Sequence, residues 1–213
     1  MNTPSRALAS NERRRRNHDD MAAAILTAAR ETMREQGVAG LNLQDLARRV
    51  GMRAPSLYNY FAGKHAIYDA LFALGMRLWR ERLETVLDQY GSAFEALEQV
   101  MNAYLSFALE NPELYQLMFE RPVPGFEPSA EALAESRRLL ERAQRAVEQM
   151  IAAGTIQTAH SADVTLNLLI AMMHGVTAQH LANEPQQPAE GGRFGSLIPV
   201  IIELLRQAWT SSD

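Results

Sequence analysis

The sequence reads as an all-α protein with a helix-turn-helix head and a larger helical body. Three observations carry this reading. From Asp19 onward, apolar residues recur every three or four positions in nearly every segment. No segment sustains the every-other-residue alternation of a half-buried strand. The first 64 residues break into three short helical stretches, and the second and third are joined by the Gly-containing turn Val50-Gly51-Met52-Arg53-Ala54.

The elements follow in order. Residues 1–17 are polar and Arg-rich with no apolar period, which is the composition of a disordered arm. A secretory signal is excluded, because Asp19 and Asp20 separate Arg13–Arg16 from an apolar stretch only eight residues long, Ala22–Ala29. The two aspartates suit a helix start. Ile25, Ala29 and Met33 then share one face, and Gly37 ends the helix. Asn42 is placed to cap a second helix, Leu43–Val50, with Asp45 completing an imperfect capping box. Leu46, Ala47 and Val50 face inward, and Gly51 stops the helix. A third helix is expected over Pro55–Phe61, closed by Gly63. Longer helices are expected over Lys64–Gln89, 92–110, Ser129–Ala153, Ser161–Ala182 and Ser196–Trp209. Asn111-Pro112 begins a short one, and Arg121–Pro128 and Asn183–Gly192 are loops.

Composition narrows the function classes. With 47% apolar and 22% charged residues, 213 residues can bury a core. There is no cysteine, which excludes a disulfide framework, a thiolate metal site and a cysteine nucleophile. No apolar run approaches the ~18 residues of a membrane span. The net charge of −4 conceals an asymmetry: residues 1–64 hold 11 basic and 6 acidic residues, whereas residues 65–213 hold 10 and 19. A basic head on an acidic body points to a polyanion at one end.

The helix pair carries its own physics. Ala47 is small where the two helices cross, Gly51 permits positive φ in the turn, and Leu57 and Phe61 anchor the third helix at i, i+4. The opposite face is left to Ser56, Tyr58, Asn59 and Tyr60.

The stretch from Gly37 through Leu43–Lys64, ending Leu57-Tyr58-Asn59-Tyr60-Phe61-Ala62-Gly63-Lys64, resembles the DNA-binding domain of TetR-type transcriptional regulators. The resemblance covers residues 18–72. In the body, Ala103–Tyr115, Met118-Phe119 and Met173-His174-Gly175 resemble the C-terminal domain subgroup named for a Trp-His-Gly motif, with Met173 in place of the Trp. The resemblance implies three parts: the Arg-rich arm of residues 1–17, a DNA-binding domain over 18–64, and an effector-binding and dimerisation domain over 65–213.

It also implies site residues. Asn42, Gln44, Arg53, Ala54, Pro55, Ser56, Tyr58, Asn59, Tyr60 and Lys64 are the expected DNA-binding set. Lys64, the only lysine in the chain, stands at the family's phosphate-contact position. Tyr58 is expected to reach a phosphate through its hydroxyl. Arg53 suits guanine, and Gln44 or Asn59 suits adenine. Pro55 biases Ala54 out of the helical region. Arg13–Arg16 either reach the DNA as a flexible arm or remain a solvated tail.

In the body, Met101, Tyr104, Phe107, Met118, Phe119, Met173 and His174 are the expected effector wall. Met and aromatic side chains adapt to irregular ligands. His174 is either a structural hydrogen bonder or a border of that pocket. The terminal helix carries a broad apolar stripe, Leu197, Val200, Ile201, Leu204, Leu205 and Ala208, which must be buried. The resemblance implies that the last two long helices, Ser161–Ala182 and Ser196–Trp209, pair with those of a second copy in a four-helix interface; the alternative for the terminal stripe is burial within its own subunit.

Catalytic signatures are missing. There is no Gly-x-Ser-x-Gly. Gly63-Lys64 lacks the flanking residues of a phosphate loop, Gly191–Gly195 lacks the dinucleotide spacing, and His174 and His180 are six residues apart with no His-Glu-x-x-His. No enzyme, metal or cofactor is expected. The expected protein is a cytoplasmic homodimeric repressor of a palindromic operator, released by a small hydrophobic effector. The alternatives are a DNA-binding regulator without an effector and a helical enzyme.

Overall fold

A computed structural model describes residues 4–210, with side chains from residue 11 onward. Among the described residues every regular element is helical: α1 (Pro4–Gln36), a 3₁₀ turn (Val38–Gly40), α2 (Leu43–Arg49), α3 (Ala54–Leu57), α4 (Lys64–Gln89), α5 (Ala93–Glu110), α6 (Pro112–Phe119), α7 (Ala130–Ala152), α8 (Ala162–Asn183), α9 (Gly192–Gly195) and α10 (Ile198–Trp209).

Three boundaries differ from the sequence reading. The first helix begins at Pro4, so it runs through the Arg13–Arg16 stretch assigned to a disordered arm. Arg, Glu and Ala are strong helix formers, and their intrinsic preference extends the helix without an apolar face. The third helix stops at Leu57 and continues as turns through Tyr60, with Tyr60 N–H and Phe61 N–H both donating to the Leu57 carbonyl. A single helical turn, α9, stands at the end of the Asn183–Gly192 loop.

The chain forms two compact units. The first takes the chain up to Phe72 together with Glu113–Ala132, and the second takes Ala73–Pro112 together with the chain from Leu133 onward. Helix α4 contributes residues to both units, and most of α6 and the following loop belong to the first.

In the first unit, Ile25, Ala29 and Met33 of α1 are buried with Leu46, Ala47, Leu57, Ile67 and Tyr68. Burial pushes the Tyr68 phenol up to about 12, and its hydroxyl donates to the Val38 carbonyl at 2.6 Å. Asp69 accepts from Ser129 N–H and Oγ–H, and Ser129 Oγ in turn accepts from Ala132 N–H at the start of α7. In the second unit, Phe94, Leu97, Met101 and Leu105 of α5 are buried with Val176 of α8 and Ile198, Ile202, Leu205 and Trp209 of α10.

Candidate nucleic-acid interface and aromatic core

The α2–α3 pair is fixed by local chemistry. Asn42 Oδ1 accepts from Gln44 N–H at 2.8 Å and from Asp45 N–H at 3.4 Å, which fills orphan donors at the start of α2. At the other end, Gly51 sits at φ +69, Met52 N–H donates to the Ala47 carbonyl and Gly51 N–H to that of Arg48. This is a Schellman motif, and it needs a residue tolerant of the left-handed region. Arg53 is the extended residue that precedes α3, at φ −81 and ψ 142, with Pro55 in the first turn. Ala54 is therefore inside the helix, contrary to the bias expected from Pro55.

Leu46, Ala47 and Leu57 are buried, which leaves Gln44, Arg48, Arg53, Pro55, Tyr58 and Asn59 exposed, Tyr58 by 59%. Ala54, Ser56, Tyr60 and Lys64 are half-buried. The cations here are not equivalent. Arg48 pairs with Asp45, and Arg49 pairs with Glu35, holding the Glu35 carboxyl below its ordinary range. Arg53 makes no ion pair among the described residues. Lys64 Nζ donates to the Ala39 carbonyl at 2.9 Å and lies 5.5 Å from the centre of the Tyr68 ring. An ammonium has three donors, so two are left. Two members of the expected DNA-binding set have structural duties: Asn42 is the α2 cap, and Tyr60 stacks on His18 of α1 with ring centres 4.7 Å apart.

In the second unit the expected effector residues form a packed aromatic core. Tyr104 and Phe107 are almost wholly buried, as is Met101. Trp79 of α4, which the sequence reading did not single out, stands edge-on to Tyr104 at 4.8 Å and tilted against Phe107 at 5.9 Å. Its only sequence signal was its place in the inward period of α4. Tyr104 Oη lies 3.2 Å from the His174 ring nitrogens, and Met173 packs on the α5–α8–α10 core. Met118 is buried and Phe119 half-buried, but both belong to the first unit, with Tyr115. A separate cleft of about 230 Å³ opens near Leu87, Tyr90, Ala93, Arg142, Ala146 and Met150. None of the expected effector residues lines it.

Burial holds the His174 imidazole below its ordinary value of 6.5. The folded chain therefore binds this proton less readily than the unfolded chain. The resulting stability is present above pH 6.5 and is lost as pH falls through the folded value. His174→Gln is expected to lessen the loss of thermal stability just below pH 6.5, as read by unfolding temperature across that range. An unchanged acid limb would assign the titration to another group.

The apolar stripe of α10 splits into two faces. Leu205 is 4% exposed and packs in its own core with Ile198, Ile202 and Trp209, so it is not available to a second copy. Ile201 is half-buried. Leu197, Val200 and Leu204 are 42, 54 and 60% exposed, and Ala208 is exposed as well. On α8, the other helix that the resemblance places at the interface, the sequence reading named no residues: Val164, Leu168, Ala171, Gly175 and Ala178 lie at spacings of four and three, all of them exposed. Periodicity alone hid this seam, because α8 is apolar on its inner face too, with Leu166 and Val176 buried.

Comparison with known proteins agrees with this anatomy. Residues 25–71 match the family described as bacterial regulatory proteins, tetR family, and residues 97–194 match a tetracyclin repressor-like C-terminal domain. The "Uncharacterized HTH-type transcriptional regulator YobS" of Bacillus subtilis (strain 168) is 34% identical over 93 residues, 43% of this chain and 48% of that protein. The chain spans about half the length of curated relatives such as this one. A protein of unknown function from Rhodococcus sp. RHA1 has the same fold, with a TM-score of 0.76, 23% identity, and coverage of 90% of this chain and 96% of that one. So does the transcriptional regulator FadR from Bacillus subtilis in complex with stearoyl-CoA, with a TM-score of 0.68, 19% identity, and coverage of 87% and 98%. The matching family is one of transcriptional regulators, not enzymes. No helix among the described residues is long and apolar enough to cross a membrane.

Proposed function

The chain belongs to the TetR family of bacterial regulatory proteins, and from that premise we propose that it is a homodimeric, cytoplasmic transcriptional repressor released from a palindromic operator by a small hydrophobic effector. The observation that carries the DNA-binding part is the exposed polar set Gln44, Arg53, Tyr58 and Asn59, mounted on the buried frame of Leu46, Ala47 and Leu57. Arg53, unpaired among the described residues, is the base reader, a guanidinium fork matched to guanine O6 and N7. Tyr58 and Lys64 hold phosphates.

The dimer covers the outer seams of α8 and α10, since rows of exposed apolar side chains such as Val164 and Leu168 on the one and Leu197, Val200 and Leu204 on the other suit an association site. Two half-sites then require recognition segments ~34–36 Å apart. The effector contacts are Met101, Tyr104, Phe107, Met173 and His174 of the second unit. No carboxylate or guanidinium stands among them, so a buried ion would lack a partner, and an apolar or weakly polar molecule suits them. FadR, which holds stearoyl-CoA on the same fold, supports an acyl-type ligand. A coupling of ~1–3 kcal/mol between the two sites suffices to change operator affinity ~5–150-fold.

The test is selection of duplexes from a random library by the full chain, followed by titration of the complex with acyl, aromatic and phosphosugar compounds. Release by the first two classes is expected. Release by phosphosugars alone would overturn the effector assignment, and failure to enrich any duplex would overturn the regulator assignment. Lys64→Ala should weaken binding to all duplexes and lower the salt slope by ~0.9 for each phosphate no longer neutralised. Arg53→Ala should instead relax preference at particular base pairs. Equal losses on all sequences for both variants would remove Arg53 from base readout.

A further inference from the structure

Arg13, Arg14, Arg15 and Arg16 form one turn of α1, and every residue from 11 to 20 is exposed. None of the four guanidinium groups makes a hydrogen bond or ion pair among the described residues. A helix turn that buries nothing and leaves four cations unpartnered is built for something outside the chain. The next turn fixes its direction. His18 stacks on Tyr60 with ring centres 4.7 Å apart and an interplanar angle of 27°, and its Nε2 lies 3.3 Å from the Asn59 carbonyl oxygen. Helix α1 is thus clasped to the end of the recognition segment, whose Tyr58 and Asn59 are exposed.

Helical geometry then sorts the arginines. Residues at i−4 and i−3 share a face with residue i, so Arg14 and Arg15 stand on the side of α1 that His18 applies to the recognition segment. Arg13 and Arg16 lie on the far side. Acidic neighbours sort them further: Arg15 has Glu12 and Asp19 within one turn, and Arg16 has Glu12, Asp19 and Asp20. Arg14 has none at i±3 or i±4.

We infer that the Arg13–Arg16 turn is a rigid, one-sided phosphate clamp on duplex DNA beside the bases read by the recognition segment, with Arg14 as its principal contact and Arg15 as its second. This rests on the DNA-binding reading above and adds to it a second contact surface, helical and directional. DNA is favoured over other polyanions because the clasp at His18 points the Arg14 face along the same edge as Tyr58 and Asn59.

The experiment measures affinity of the full chain for a long random-sequence duplex as a function of salt, for wild type, Arg14→Gln, Arg16→Gln and Lys64→Ala. The two arginines are on an exposed helix, so their replacement leaves the fold intact, whereas Lys64 is half-buried and bonded to the Ala39 carbonyl, so the fold of Lys64→Ala is checked by circular dichroism. Arg14→Gln is expected to lower the salt slope by ~0.9 and affinity about fivefold for each phosphate that Arg14 neutralises. Arg16→Gln is expected to change affinity less than twofold. Equal effects from the two arginine variants would overturn the one-sided clamp in favour of a flexible arm. A fall with Lys64→Ala but none with Arg14→Gln would overturn the clamp and leave the DNA-binding reading standing. No duplex binding by the wild type would overturn both. Arg14-dependent binding to phosphatidylglycerol vesicles as strong as to the duplex would also overturn the inference, in favour of a membrane surface.

Discussion

Val200→Arg combined with Leu204→Arg is expected to give a folded monomer with little affinity for palindromic DNA. Both side chains are more than half exposed in the single chain, so the fold of one copy tolerates a long cation at either place. A two-fold interface repeats each substitution on the facing copy, which would set four guanidinium groups into an apolar seam. Stranding an unpaired charge there costs ~3–5 kcal/mol, and the forfeited burial of each Val or Leu adds up to ~1.5–3 kcal/mol. Sedimentation velocity reads the outcome directly. Leu205→Arg is the contrast: that side chain is 4% exposed and packs with Ile202 and Trp209, so its replacement should unfold the second unit instead of separating copies. A dimer that survives the Val200/Leu204 double substitution would remove the outer face of α10 from the interface.

The contrast between Leu204 and Leu205 also marks how far the sequence could be read. A stripe of six apolar residues announced that α10 buries something, but adjacent residues of a helix lie on different faces. Only the packed structure separates the inner face, with Ile198, Ile202 and Trp209, from the outer one. The resemblance put α8 at the interface as well, but which of its residues face outward was hidden by the opposite effect: a helix apolar on both sides has no polar face to orient it. Local signals fared better. Asn42 and Gly51 were legible because a cap and a left-handed turn are satisfied within four residues of themselves. The length of α1 was not, because a polar helix carries no periodic signal and Arg-rich stretches share the composition of disordered ones. Trp79 was invisible as part of the aromatic core, since its partners Tyr104 and Phe107 come from a different helix.

The least legible feature predicts the second large effect. Glu113, in the first turn of α6, has a side chain only 1% exposed, and two arginines 79 and 83 residues away hold it. Arg30 Nε donates to Oε1 at 2.7 Å, and Arg34 Nε to Oε2 at 2.6 Å. Arg30 and Arg34 are one helical turn apart on α1, so they meet the carboxylate from a single face, one to each oxygen. The helix dipole at the start of α6 favours the same negative charge. Removing both cations would leave a buried carboxylate alone. Arg30→Met with Arg34→Met is therefore expected to destabilise the first unit by ~3–5 kcal/mol, far more than loss of two exposed ion pairs, which is ~0–1 kcal/mol each. Adding Glu113→Leu to that pair should restore most of the loss, because replacing a whole buried ionic group by apolar side chains is near neutral. The two arginines alone, without their carboxylate, should fare better than the carboxylate alone, since they remain 23 and 44% exposed and can hydrate. Urea unfolding of the double, single Glu113→Leu and triple variants gives the three free energies. If the triple variant is no more stable than the double, the cost lies in poorer packing of the arginine stems on α1, and the buried charge is not what holds α6 to that helix.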